Sequence, residues 1–177
     1  SGSWLSKNKY QIDRIQSAYK NNYLINAKPI FVDYQDSIVS VDPFEIHIND
    51  GILDGLITLG KKSEGRLKMS NFDANVITQF IDSKYLDLSG IVFGELSFQN
   101  LNENSSYDVD VSLKKGAYLG TSYDQMNLSF MLNSGTLIVD DFSFTSDTSL
   151  GFQLFGILPL NNAKNGQEDI SLNTTFK

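Results

Sequence analysis

Tyr107-Asp108-Val109-Asp110-Val111-Ser112-Leu113 alternates apolar and polar side chains without a break. A period of two places every second side chain on one face of a β-strand. The same beat returns at Met126, Leu128, Phe130 and Leu132, then at Leu150, Phe152, Leu154, Leu158 and Leu160, then at Ile170, Leu172 and Phe176. The reading is a long antiparallel sheet with one apolar face and little helix to cover it.

Turn signals separate these runs: Lys115-Gly116, Asn133-Ser134-Gly135 and Asn165-Gly166. The spacing predicts a meander with strands at 107–113, 117–122, 126–132, 136–145, 150–160 and 170–176. Pro159 fits an edge or terminal position of its strand. Upstream, 30–34 and 38–48 read as strands. Asn49-Asp50-Gly51 reads as a hairpin turn, with 52–59 as the return strand. Residues 70–81 are the exception. Phe72, Val76, Ile77, Phe80 and Ile81 recur at helical spacing, and Ser70 with Asp73 resembles a capping box. One short helix is therefore expected near residues 71–82. A strand over 86–98 follows, its interior Gly90 and Gly94 marking bulges or bends. Residues 4–28 fit neither period and read as short strands or irregular structure.

The sequence repeats itself. Val41-Asp42-Pro43-Phe44-Glu45-Ile46 matches Val139-Asp140-Asp141-Phe142-Ser143-Phe144, and Gly55-Leu56-Ile57-Thr58-Leu59 matches Gly156-Ile157-Leu158-Pro159-Leu160. Repeated strand units that cannot bury their faces alone mark a quasi-one-dimensional architecture. Two related β units are expected, at about 38–98 and 107–177, within one β-rich domain over 4–177. Ser1-Gly2-Ser3 reads as a cloning scar. With a final strand running to the last residues, the chain reads as an internal piece of a longer protein.

Composition narrows the chemistry. Hydrophobic residues make up 41% of 177, enough for a packed structure. The net charge is −7 with scattered Lys and Arg, which disfavours nucleic acid and an anionic membrane surface. There is no Cys, hence no disulfide, thiolate metal site or cysteine nucleophile. No apolar run reaches the length of about 20 residues that spans a bilayer as a helix. His47, the one histidine, stands between Ile46 and Ile48 and reads as a solvated strand residue. Asp140 and Asp141 are neighbours on a strand, so they point to opposite faces and read as a polar break, not an acid–base pair. The carboxylates lack calcium-loop spacing, and no phosphate loop, nucleophile elbow or dinucleotide fingerprint is present. Neither catalysis nor a metal or cofactor is expected.

The passage Phe72-Asp73-Ala74-Asn75-Val76-Ile77, followed by Leu86-Asp87-Leu88-Ser89-Gly90-Ile91-Val92-Phe93-Gly94-Glu95-Leu96-Ser97-Phe98, resembles the TamB/AsmA-type envelope proteins. In them a short amphipathic helix precedes a strand with two spaced glycines. The run from Tyr107 to Leu160 resembles them as well, so the likeness covers roughly residues 38–177. It implies a periplasmic segment of an inner-membrane-anchored protein of a diderm bacterium. Its fold would be mainly β, an elongated antiparallel sheet curled into an open apolar groove, the β-taco. Periodicity alone leaves a closed β-sandwich, a binding or adhesion module with an ordinary core, as the alternative. The family is associated with moving phospholipid to the outer membrane and with outer-membrane protein assembly through a barrel partner.

Physical chemistry gives such a groove its use. A lipid tail entering water loses about 0.8 kcal/mol per methylene, on the order of 10 kcal/mol for about 16 carbons. A continuous apolar face removes that barrier. The expected lining is Val109, Val111, Leu113, Leu128, Phe130, Leu132, Phe152, Leu154, Leu158 and Leu172. The expected partners are phospholipid or another acyl chain, the remainder of the parent chain and an outer-membrane barrel protein. Sheet edges add self-association as an expected mode.

Overall fold

A computed structural model of the chain describes residues 1–19, 22–80, 87–101, 104–146, 151–160 and 171–176. Five short strands come first: β1 (Ser3–Trp4), β2 (Lys9–Ile12), β3 (Gln16–Tyr19), β4 (Asn22–Asn26) and β5 (Ile30–Gln35). Longer ones follow as β6 (Ile38–Ile48), β7 (Gly51–Leu59) and β8 (Glu64–Asp73), leading into helix α1 (Ala74–Phe80). The chain continues through β9 (Ile91–Gln99), β10 (Ser106–Tyr118), β11 (Thr121–Asn133), β12 (Thr136–Thr145), β13 (Gly151–Pro159) and β14 (Ser171–Phe176).

Among the described residues, all fourteen strands belong to one antiparallel sheet that does not close into a barrel. From β5 onward every strand pairs with the next in sequence, so the expected meander extends over ten strands. Near the start the order is β1-β2-β5-β6, and β4 joins β6 beside β5. β5 pairs residues 38–41 of β6 and β4 pairs residues 46–48, so two short strands share one long edge. The Asn133–Thr136 hairpin holds Ser134 and Gly135 at φ 48 and 84, the left-handed geometry of a tight turn that follows the twist of its strands.

Several boundaries depart from the expectation. Residues 64–73 form β8, for which no strand was foreseen. The helix begins at Ala74, not at 71, because Phe72 and Asp73 pair with Val92 and Ile91 of β9. Its cap is Asp73, whose Oδ1 accepts the Asn75 backbone N–H at 2.9 Å, not Ser70. Residues 81–82 of the expected helix lie outside the described residues. The two strands expected at 107–113 and 117–122 are not separated at Lys115-Gly116. Pairing runs on through Gly116, Ala117 and Tyr118 of β10, and the chain reverses at Leu119-Gly120. The strand expected from 86 starts at Ile91, preceded by a bridge between Leu88 and Tyr118. The expected turn at Asn165-Gly166 lies outside the described residues.

The repeat has a structural counterpart. The registers of β6 with β7 and of β12 with β13 both shift by a bulge, between Val41 and Phe44 and between Val139 and Phe142. Asp42-Pro43 stand opposite the single residue Leu56, and Asp140-Asp141 opposite the single residue Phe155, one extra residue in each. A bulge leaves a residue out of the ladder, which accommodates Pro43 and its missing N–H. The return strands align differently from the sequence match. Val41 faces Ile57 and Val139 faces Gly156, so Gly156 takes the place of Ile57, two residues beyond Gly55.

The largest cluster of buried side chains lies beside α1. There Ala74 and Val76 of α1 form a buried cluster with Phe72, Val92, Leu113 and Tyr123, and Leu53, Met69, Met126 and Phe144 pack around it.

Candidate functional site: an uncharged face across the sheet

Residues opposite one another in an antiparallel ladder share a face, so the register traces that face strand by strand. One row runs Ile46, Leu53, Met69, Gly94, Val111, Leu128, Phe142 and Leu154 from β6 to β13. Beside it run Phe44, Gly55, Leu67, Leu96, Val109, Phe130, Val139 and Gly156. A third row is Val41, Ile57, Gly65, Phe98, Tyr107, Leu132, Leu137 and Leu158. A fourth, next to α1, links Phe72, Val92, Leu113, Met126, Phe144, Phe152 and Phe176. None of the four rows contains a charged residue.

The opposite face is built otherwise. Its middle row reads Glu45, Asp54, Lys68, Glu95, Asp110, Ser129 and Asp141. Arg66 clamps Glu95 through Nε and NH2 at 2.5 and 2.6 Å. That bond holds the Glu95 carboxyl below its ordinary range and the Arg66 guanidinium above its own. His47 lies on this face with Nε2 2.6 Å from Glu45 Oε1. Asp141 accepts hydrogen bonds from Ser143 Oγ and Gln153 Nε2 at 3.1 and 3.2 Å, a structural use of the carboxylate at the bulge. Open hollows of 380 and 370 Å³ lie along it, the second lined by Lys68, Ser70, Phe93, Glu95, Asp110 and Ser112. No group of three or more metal-ligating side chains occurs among the described residues.

The ten residues expected to line a groove all fall on the uncharged face by register. Val109, Val111 and Leu113 lie on β10, Leu128, Phe130 and Leu132 on β11, Phe152, Leu154 and Leu158 on β13, and Leu172 pairs with Gly156 from β14. Their burial is uneven. Val109 and Leu113 are 7% and 5% exposed, whereas Val111, Leu128, Phe130, Leu132, Phe152, Leu154 and Leu158 are half-buried. The face also extends beyond them, through Leu96, Leu67, Leu53 and Ile46 into the first half of the chain. Leu67 and Met69, alternating with Arg66, Lys68 and Ser70, carried that signal, but a bulge of one extra residue before Phe72 interrupts the beat.

Comparison with protein-family models, with curated proteins and with solved structures finds no match to this chain.

Proposed function

We propose that this chain is a non-enzymatic periplasmic segment of a TamB/AsmA-like envelope protein, whose uncharged face carries phospholipid acyl chains between the inner and outer membranes. In this reading the sheet curls into a trough with that face inside, and outer-membrane protein assembly is a second use of the same path. The observation that carries it is the run of uncharged cross-strand rows through eight consecutive strands, with most of the expected lining only half-buried. A packed core excludes solvent from its apolar side chains; these retain accessible surface in a long band. Such a band gives a tail a near-isoenergetic path and no single tight site, so cargo is not trapped.

The test is photocrosslinking to a phospholipid with a photoreactive acyl chain. Wild-type protein crosslinks within the band, and Leu128→Arg or Phe130→Arg lowers the yield about tenfold while circular dichroism keeps the β signature. Undiminished crosslinking in folded Arg variants, or none in the wild type, overturns the reading.

A further inference from the structure

Three cations from separate parts of the chain meet on the charged face. Lys28, Arg66 and Lys68 line the 380 Å³ hollow there, together with Asp54, Pro43 and Leu56. Arg66 and Lys68 stand two apart on β8 and so share its outward side. Lys28 comes from the turn between β4 and β5, with β6 and β7 lying between that turn and β8. A buried amide fixes the turn. Asn26, 7% exposed, accepts the Ile15 N–H at 2.6 Å and donates to the Lys28 carbonyl at 2.8 Å. The Ala27 N–H donates to the Glu45 carbonyl at 3.0 Å and ties the turn to β6. Glu95 fixes Arg66 in turn, by accepting from Nε and Nη2. That side-on grip leaves the other edge of the guanidinium, the Nη1 hydrogens and the second on Nη2, as a fork for two oxygens of an anion. Among the described residues Lys28 and Lys68 enter no ion pair, although Asp54 is the partner of Lys68 across the ladder.

We infer that this hollow binds the phosphate group of a monoester. A phosphate monoester presents three terminal oxygens, which lets Arg66, Lys28 and Lys68 each take one, whereas a carboxylate has only two to share. Lys28, Arg66 and Lys68 against Asp54 and Glu95 leave a local balance of one positive charge in a chain whose net charge is −7. A small dianion is therefore drawn here, while an extended anionic surface is repelled by the chain as a whole. Leu56, 41% exposed, and Pro43 give the carbons of the ester an apolar wall. The same chemistry is offered by a soluble phosphate ester and by the headgroup of a phosphatidic acid. The hollow lies on the face opposite the uncharged band, and its binding does not depend on acyl-chain carriage.

The test is calorimetric titration of the chain with hexyl phosphate at low salt. Wild-type protein binds it saturably, one to one, in the millimolar range or tighter, and added salt weakens the binding. Lys28→Ala and Lys68→Ala each weaken it about fivefold. Lys114→Ala, which removes an equal charge beside Phe93 on the same face, leaves it unchanged. All three lysines are exposed, so their removal leaves the fold in place. Flotation with phosphatidylcholine vesicles, with and without phosphatidic acid, separates the two sources. Retention by phosphatidic acid that is lost in Lys28→Ala assigns the headgroup; binding of hexyl phosphate without retention assigns a soluble ester. Absence of saturable binding overturns the inference, as does an unchanged affinity in Lys28→Ala and Lys68→Ala or an equal loss in all three variants. None of these measurements reads acyl-chain crosslinking, so the two readings stand or fall separately.

Discussion

At Gly94 the backbone of β9 passes so close to β10 that a Cβ would overlap the carbonyl oxygen of Asp110. Its φ of 151 adds a conformation that L side chains avoid. Gly120, in the turn between β10 and β11, has φ 79 but open space around it. The two separate steric overlap from backbone strain. Gly94→Ala is expected to cost about 2–4 kcal/mol and Gly120→Ala about 1 kcal/mol, read from urea midpoints at unchanged slope. Equal losses would contradict the close approach of the strands. Lys115 shows what a residue-level signal contains. It takes the turn-like φ of 53 that its pairing with Gly116 announced, yet the ladder continues on either side of it and the chain does not reverse there.

Helix α1 has seven residues, too few to persist by its own hydrogen bonds. It is held by what it packs on and by the segment that returns from it. Residues 87–89 run beside the end of β10, where the Leu119 N–H donates to the Asp87 carbonyl and the Ser89 N–H to the Ala117 carbonyl, each at 2.9 Å. The Tyr123 hydroxyl, on a side chain only 3% exposed, donates to the Ser89 carbonyl. Burial pushes this phenol above its ordinary value of 10.0. A raised folded value means the stability it contributes is complete below the ordinary tyrosine range and is lost as pH rises through the folded value. Tyr123→Phe should cost about 1 kcal/mol at neutral pH and reduce the alkaline decline in stability, both visible in urea midpoints across pH. An unchanged alkaline decline would place the titration elsewhere. The helix start was misread because Phe72 suits either period. With Val76 and Phe80 it completes a helical stripe, but after the bulge at Ser70-Asn71 it also rejoins the apolar face of β8. Only the partner strand β9 separates the two.

Across the whole molecule each late strand touches its sequence neighbours, so stability accrues along the sheet as it does in a repeat array. Deleting residues 161–177 should leave a cooperative β fold with a denaturant slope lower by roughly a tenth, since among the described residues β14 pairs with β13 alone. Global unfolding on that deletion would reveal contacts closing the sheet upon itself. The period of two determined which side chains share a face on β10, β11 and β13, while Leu150 and Ile170 lie outside the described residues, and the Asn133-Ser134-Gly135 signal placed its hairpin; both depend on one strand and its immediate turn. Residues 64–73 as a strand, the reversal at Leu119-Gly120 in place of Lys115-Gly116 and the continuation of the uncharged face back to Ile46 were decided by tertiary structure. Each rests on hydrogen bonds to a neighbouring strand. Such bonds override local propensity, and a linear pattern interrupted by bulges does not display them.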